Sequence, residues 1–268
     1  MRGKYKLHSF VVMAYEESPY LAECILSLIN QTVKSDVVIS TSTPSKNVID
    51  VSKKYGIPLL INKERHGIAS DWNFAYNNCE SKYVTLVHQD DLYLSRYVES
   101  CFSVIGTKQN DDNLIIFTWY NDLVEGEERA FNINFIAKKA LLTPFLFKRN
   151  IQSLFLKKMV LLFGSPIPCP SVMYHKDRIG SFNFSNVFNC NMDWDAWLRL
   201  SKRIGSFTFV NKKLVLHRIY KESQTSTQIS NAERKREDSM IFKRLWPEPI
   251  ARMLLALYSL SYRMNDVR

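Results

Sequence analysis

The chain has 268 residues, 46% hydrophobic and 13% aromatic, enough for one sizeable core. Its net charge of +10 sits mostly in residues 199–268, with 15 Lys and Arg against 6 Asp and Glu, while residues 1–198 carry 21 against 20. Such a basic surface attracts nucleic acid or anionic lipid, but no zinc-finger spacing, RNP-like run or basic heptad region accompanies it, so a nucleic-acid partner is excluded.

Five scattered cysteines (Cys24, Cys79, Cys101, Cys169, Cys190) without Cys-x-x-Cys argue against a disulfide framework or a zinc site. Apolar stretches such as Met253–Leu260 end well short of the ~20 residues of a spanning helix. The run Phe10–Ala14 meets Glu16 and Glu17 and is shorter than a signal h-region. A cytoplasmic location is the expectation.

In chain order, the first ~120 residues alternate strand and helix. Ser9–Ala14 reads as a strand. Ser18 is placed to cap a helix with Pro19 at its first position and Leu21, Cys24, Ile25 and Leu28 as its apolar stripe. Val37–Thr41 is a second strand, Lys46–Tyr55 a helix closed by Gly56 and Pro58, and Leu59–Ile61 a short strand. A helix over Gly67–Asn78, a strand over Tyr83–Val87, a helix over Ser95–Ile105 and a strand over Leu114–Thr118 follow. Repeated β-α-β units predict an α/β fold with a mostly parallel, doubly wound sheet flanked by helices.

The second half is less regular. Leu141–Phe163 reads as one or two helices interrupted near Arg149 and Asn150, and Ser165–Pro170 as a rigid loop. Ser171–His175 is a strand, Asp193–Ser201 a short helix, and Phe207–Val210 and Leu214–Arg218 are two short strands. Two helices close the chain, Asn231–Trp246 and Pro249–Met264, broken by Pro247 and Pro249. These patterns divide the chain into a catalytic-type domain over residues 1–228 and a basic helical extension over 229–268.

The buried-type strand Tyr83–Val87 runs through His88 and Gln89 into two adjacent carboxylates, Asp90 and Asp91. Charges at a strand's end must be solvated, paired or bound to a cation. Hard oxygen ligands there suit Mg²⁺ or Mn²⁺ carrying a phosphate, and in open α/β sheets that end binds ligands. The alternative is a solvated turn. No Gly-x-Gly-x-x-Gly, Walker-type loop or Gly-x-Ser-x-Gly elbow is present.

Four blocks in order, Phe10–Leu21, Asn62–Asn73, Val87–Asp91 and Met192–Arg199, resemble the family 2 glycosyltransferases of the GT-A fold, over residues 8–228. The resemblance implies transfer of a sugar from a nucleotide diphosphate-sugar, a UDP-sugar first among donors, to an acceptor hydroxyl. It further implies inversion and a divalent metal, Mn²⁺ or Mg²⁺. Tyr15 and Glu17 fall where the family contacts the nucleotide. Thr41 stands at the end of the second strand, where the family usually carries an acid, and Asp71 is an extra acid nearby, beside Asn73. His88 and Gln89 occupy the start of the Asp-x-Asp metal motif, with His88 in place of its first acid, Asp90 at the metal-holding acid and Asp91 next to it. Asp193 aligns with the general base, with Asp195 as the competing candidate and helix capping as the alternative for both. His217 and Arg218 match a late segment near the diphosphate. Loosely, the resemblance suggests assembly of bacterial cell-surface polysaccharide on a glycan or lipid-linked acceptor. The basic C-terminal quarter, with an amphipathic helix bearing Ile250, Met253, Leu254 and Leu257, adds the expectation of a peripheral membrane contact or of packing on the catalytic domain or a second subunit. The rival readings are a non-catalytic nucleotide-sugar or glycan-binding protein on the same fold and a sugar nucleotidyltransferase.

Overall fold

The computed structural model describes residues 7–64, 67–106, 111–129, 133–220 and 231–265. The N-terminal half contains β1 (His8–Ala14), α1 (Leu21–Ile29), β2 (Asp36–Thr41), α2 (Lys46–Tyr55), β3 (Leu59–Ile61), α3 (Ile68–Asn77), β4 (Tyr83–His88), β5 (Leu92–Tyr93), α4 (Tyr97–Phe102), β6 (Asn113–Val124) and β7 (Glu127–Arg129). Then come α5 (Ile133–Leu141), α6 (Thr143–Phe147), β8 (Asn150–Ile151), α7 (Leu154–Met159), β9 (Val172–His175), α8 (Lys176–Ile179), α9 (Met192–Leu200), β10 (Ser206–Ile219), α10 (Asn231–Leu245) and α11 (Glu248–Asn265).

All ten strands join one sheet, in the order β3-β2-β1-β4-β9-β6-β10-β5, with β7 on β6 and β8 on β10. Along that path β3, β2, β1, β4, β6 and β10 run the same way, and β9 and β5 run against them. The mostly parallel sheet therefore holds, with one central exception. The proline-rich loop and a 3₁₀ turn at Cys169–Ser171 deliver the chain to the C-terminal edge of β4 and β6, so β9 must run back down between them.

Period-2 alternation sends neighbouring side chains to opposite layers. Phe10, Val12 and Ala14 of β1 join the stripe Leu21, Cys24, Ile25 and Leu28 of α1, together with α2 and α4. Val11 of β1 and Val84 and Leu86 of β4 face the other layer, which holds α3 and α9 and also Ile241, Phe242, Ala251 and Leu254 from the two last helices. Full burial of a Leu or Ile contributes about 2 kcal/mol, so each stripe is worth several. On α2, Ser45 caps the helix by accepting from Val48 N–H at 3.3 Å, and Gly56, at φ +63°, closes it.

Some local expectations shift. The α1 helix begins at Leu21; Ser18 instead closes the preceding turn, accepting Tyr20 N–H at 3.2 Å. Helix α4 is shorter than Ser95–Ile105, and β6 continues past Thr118 to Val124. The segments 207–210 and 214–218 are one strand, β10, with register shifts around Lys213 where exposed Asn211-Lys212-Lys213 bulge out. The interruption near Arg149 and Asn150 is the short strand β8, and α5 begins ahead of the expected helical region.

Candidate active site

The C-terminal ends of β1, β2 and β4 lie side by side, with Ala14 opposite Thr41 and Met13 opposite His88. Three segments leave this edge and are tied to one another. Gln89 clamps the backbone of Tyr15 with both amide atoms: Oε1 accepts Tyr15 N–H at 3.1 Å and Nε2 donates to Tyr15 O at 2.9 Å. Glu16 takes a left-handed backbone, φ +53°, and donates its N–H to Thr43 Oγ1 at 2.5 Å. Thr41 is buried, and its hydroxyl accepts Thr43 N–H at 3.0 Å. Glu17 is exposed at the rim. Asp71, on the first turn of α3, joins two strand ends: Oδ2 accepts from Ser42 and Oδ1 from Asn62 Nδ2, each at 2.8 Å. Asn73 holds the backbone of Phe184 with both amide atoms, at 3.0 and 2.6 Å. The Trp72 ring packs 5.5 Å from His88 and 5.1 Å from Phe184.

At the end of β4 the chain turns sharply, Asp91 N–H donating to His88 O at 3.3 Å. Asp91 is fully buried and Asp90 half-buried. Arg218 fixes this turn: its N–H donates to Asp91 Oδ1 at 3.0 Å and its Nε to Asp90 O at 3.0 Å. The rest of its guanidinium pairs with Glu23 at 2.6 Å and lies over Tyr20 at 4.1 Å. Asp91 Oδ2 makes no hydrogen bond, although His88 Nδ1 stands 3.4 Å away. His217 places Nδ1 3.6 Å from Asp122 Oδ1.

The electrostatics follow from this crowding. Burial is the largest influence on both histidines and lowers their proton affinity, but neighbouring carboxylates outweigh it: Asp91 and Asp90 raise His88, and Asp91, Asp122 and Asp90 raise His217. Burial and then repulsion from Asp91 push Asp90 up. Burial also pushes on Asp91, but the two histidines and the Arg218 N–H hold it below its ordinary value. Tyr220 was not foreseen; burial, the charge of Asp90 and a hydrogen bond to it push its phenol up to about 12.

Asp193 stands on the first turn of α9, accepting Trp194 N–H at 2.6 Å. Burial raises its proton affinity, against the pull of that N–H and of Lys138 and His88. A helix N-terminus favours the anion, and desolvation outweighs that pull here. Asp195 is otherwise engaged: Oδ2 pairs with Arg199 Nε at 2.7 Å and Oδ1 with Arg244 at 2.8 Å. Lys138, also missed, donates to Tyr120 Oη at 2.7 Å. Tyr120 packs edge-on to His217 at 6.1 Å and borders a hollow of about 210 Å³ lined by Trp119, Tyr120, Phe135, Lys139, Asn211 and Lys213.

The loop entering α9 is held from α10. Buried Glu237 accepts the N–H groups of Asn189, Cys190 and Asn191 at 2.8, 2.9 and 2.9 Å, and Asp238 accepts Asn191 Nδ2 at 2.7 Å. In sequence these acids look like surface charges of a basic helix.

The mostly parallel sheet flanked by helices is the GT-A fold of glycosyltransferases. The family description Glycosyl transferase family 2 matches residues 9–170, and the chain belongs to that family. An uncharacterised glycosyltransferase of Rickettsia typhi is 25% identical over 230 residues, 85% of this chain and 68% of that protein. The minor teichoic acid biosynthesis protein GgaB of Bacillus subtilis is 23% identical over 134 residues, 47% of this chain and 15% of its own length. Among solved structures, S. aureus TarS 1-349 in complex with UDP-GlcNAc superposes with a TM-score of 0.61 at 16% identity, covering 94% of this chain and 71% of that one. Among the described residues no helix is long and apolar enough to cross a membrane.

Proposed function

We propose that this glycosyltransferase is an inverting enzyme that moves a sugar from a nucleoside diphosphate-sugar to an acceptor hydroxyl, with Asp193 as the general base. One observation carries the reading: of the two acids on the first turn of α9, Asp195 has both oxygens committed to arginines, while Asp193 has burial-raised basicity and feels the charge of His88. A base must accept the hydroxyl proton as that oxygen attacks the anomeric carbon. Direct displacement then inverts the configuration.

Tyr15, Glu17, Thr41 and Asp71 border the nucleotide side, and His88, Gln89 and Asp90 the ribose and diphosphate side. Among the described residues no three His, Cys, Asp or Glu side chains form a cage for a metal ion. A cation held mainly by diphosphate oxygens needs only one or two protein carboxylates. Half-buried Asp90 fits that demand and would hold the ion, with buried Asp91, whose Oδ2 faces His88 at 3.4 Å, adding negative charge beside it. Mn²⁺ or Mg²⁺ there would offset charge on the leaving diphosphate. His217, whose proton affinity the nearby carboxylates raise, lies on the same side, while Arg218 acts through the Asp90–Asp91 turn it holds. The TarS complex supports a UDP-sugar as donor, and the GgaB similarity supports an acceptor in bacterial cell-surface glycan assembly.

The test is Asp193→Asn. Transfer is abolished while thermal-shift titration with UDP-sugars keeps the wild-type affinity. Near-normal transfer by the variant would remove Asp193 from the base role.

A further inference from the structure

Every charged side chain between Arg129 and Lys176 is a cation, although acids are frequent elsewhere in the chain. Within this span lies a face that the described residues leave uncovered. Helix α6 turns Phe145 into the core, 1% exposed, and thereby sends Leu146 and Phe147 outward, 62% and 89% exposed. Helix α7 turns Lys157 inward, where its ammonium donates to the carbonyls of Arg203 and Gly205 at 2.7 and 2.6 Å. Phe155 is consequently 72% exposed, and Lys148, Arg149 and Lys158 are exposed beside these aromatics. Strand β8, between the two helices, is pinned to β10, so both outward turns flank one anchored point of the sheet.

From this arrangement we infer that the α6–α7 face docks on an anionic lipid bilayer, Phe147 and Phe155 entering the interface and Lys148, Arg149 and Lys158 pairing with lipid phosphates. Exposed phenylalanines stand among cations, and the neighbouring acid, Asp112, is engaged by Asn150 and Gln152, which matches an interface that is apolar below and negative above. A neutral or basic protein surface would offer no such complement to the cations. The C-terminal helix is a weaker candidate, because Leu254 of its apolar set is buried on the sheet layer, leaving Ile250, Met253 and Leu257. The inference stands apart from the assignment of donor and base.

The experiment is co-sedimentation of the whole chain with vesicles of phosphatidylglycerol and phosphatidylcholine in equal parts, and of phosphatidylcholine alone, at low and high salt. Binding is expected only with the anionic vesicles and is weakened by salt. Lys148→Gln with Arg149→Gln lowers the partition coefficient roughly 30-fold, as two lost surface cations would. Phe147→Ser with Phe155→Ser reduces binding at low salt and abolishes it at high salt, whereas Met253→Ser with Leu257→Ser retains it. UDP-sugar thermal shifts of every variant report folding and donor binding separately. The proposal is overturned if the wild type stays in the supernatant at low salt, or if the phenylalanine pair binds like wild type. It is equally overturned if sedimentation equilibrium shows a dimer that the phenylalanine pair converts to monomer, since a second copy would then cover this face.

Discussion

Arg244, on α10, reaches Asp195 on the first turn of α9 at 2.8 Å, forty-nine residues apart in sequence. Together with Glu237, which gathers three backbone N–H groups of the preceding loop, it makes α10 the brace of the turn that carries Asp193. Glu237→Gln removes the charge and leaves a buried N–H short of a partner, costing about 1–3 kcal/mol. Arg244 is half exposed, so Arg244→Ala costs about 1 kcal/mol or less. Denaturant melts measure both. For Glu237→Gln, kcat is expected to fall with donor affinity unchanged, because the brace touches α9 and not the nucleotide side.

The pH profile of transfer is a second consequence. As the proposed base, Asp193 must be ionised, and burial raises its proton affinity, so activity is expected to rise with pH along a limb above the ordinary carboxylate range. Lys138 draws that limb down through its charge on Asp193. Lys138→Met is expected to shift the acid limb of kcat/KM to higher pH. An unchanged limb would assign it to another group.

Asp238 gives a stability prediction with a definite sign. Burial lifts its carboxyl to about 6, above the unfolded value of 3.8. The folded state then binds this proton more tightly, so the chain loses stability as pH rises from about 4 to about 6 through this group. Asp238→Asn keeps an acceptor for Asn191 and removes the titration. It is expected to be more stable than the wild type at pH 7, by on the order of 2 kcal/mol, with the difference shrinking toward pH 4.

His88 stands where an acid is usual, and an imidazole suits Mn²⁺ better than Mg²⁺. Chelation is expected to reduce UDP-sugar binding, and Mn²⁺ to restore it more fully than Mg²⁺. His88→Asp moves the preference toward Mg²⁺. Calorimetric titration of the donor with each ion checks both statements, and equal affinity with and without chelator would remove the metal from donor binding.

The strand–helix alternation was legible as far as β4 because each element carries its own period, and α2 its own caps. Gly56 closes α2 where the sequence places it, and Ser45 caps its start. The motif residues His88, Asp90, Asp91, His217 and Arg218 do converge, although more than a hundred residues separate the two groups. Three features were hidden for physical reasons. The bulge in β10 puts polar, exposed residues mid-strand, which reads as a gap. The antiparallel course of β9 is set by where a proline loop meets the sheet and leaves no periodic signal. Glu237 and Lys138 owe their roles to tertiary neighbours, and nothing in their flanking residues separates them from solvated charges.

The Glu237 brace also orders events in time. During synthesis the loop before α9 emerges about fifty residues ahead of the carboxylate that gathers its N–H groups. Until α10 arrives, those groups are left to water and Asp195 has only Arg199. Whatever chemistry the first turn of α9 performs is thus acquired only once α10 has been made, after the sheet edge formed by β1, β2 and β4 has left the ribosome.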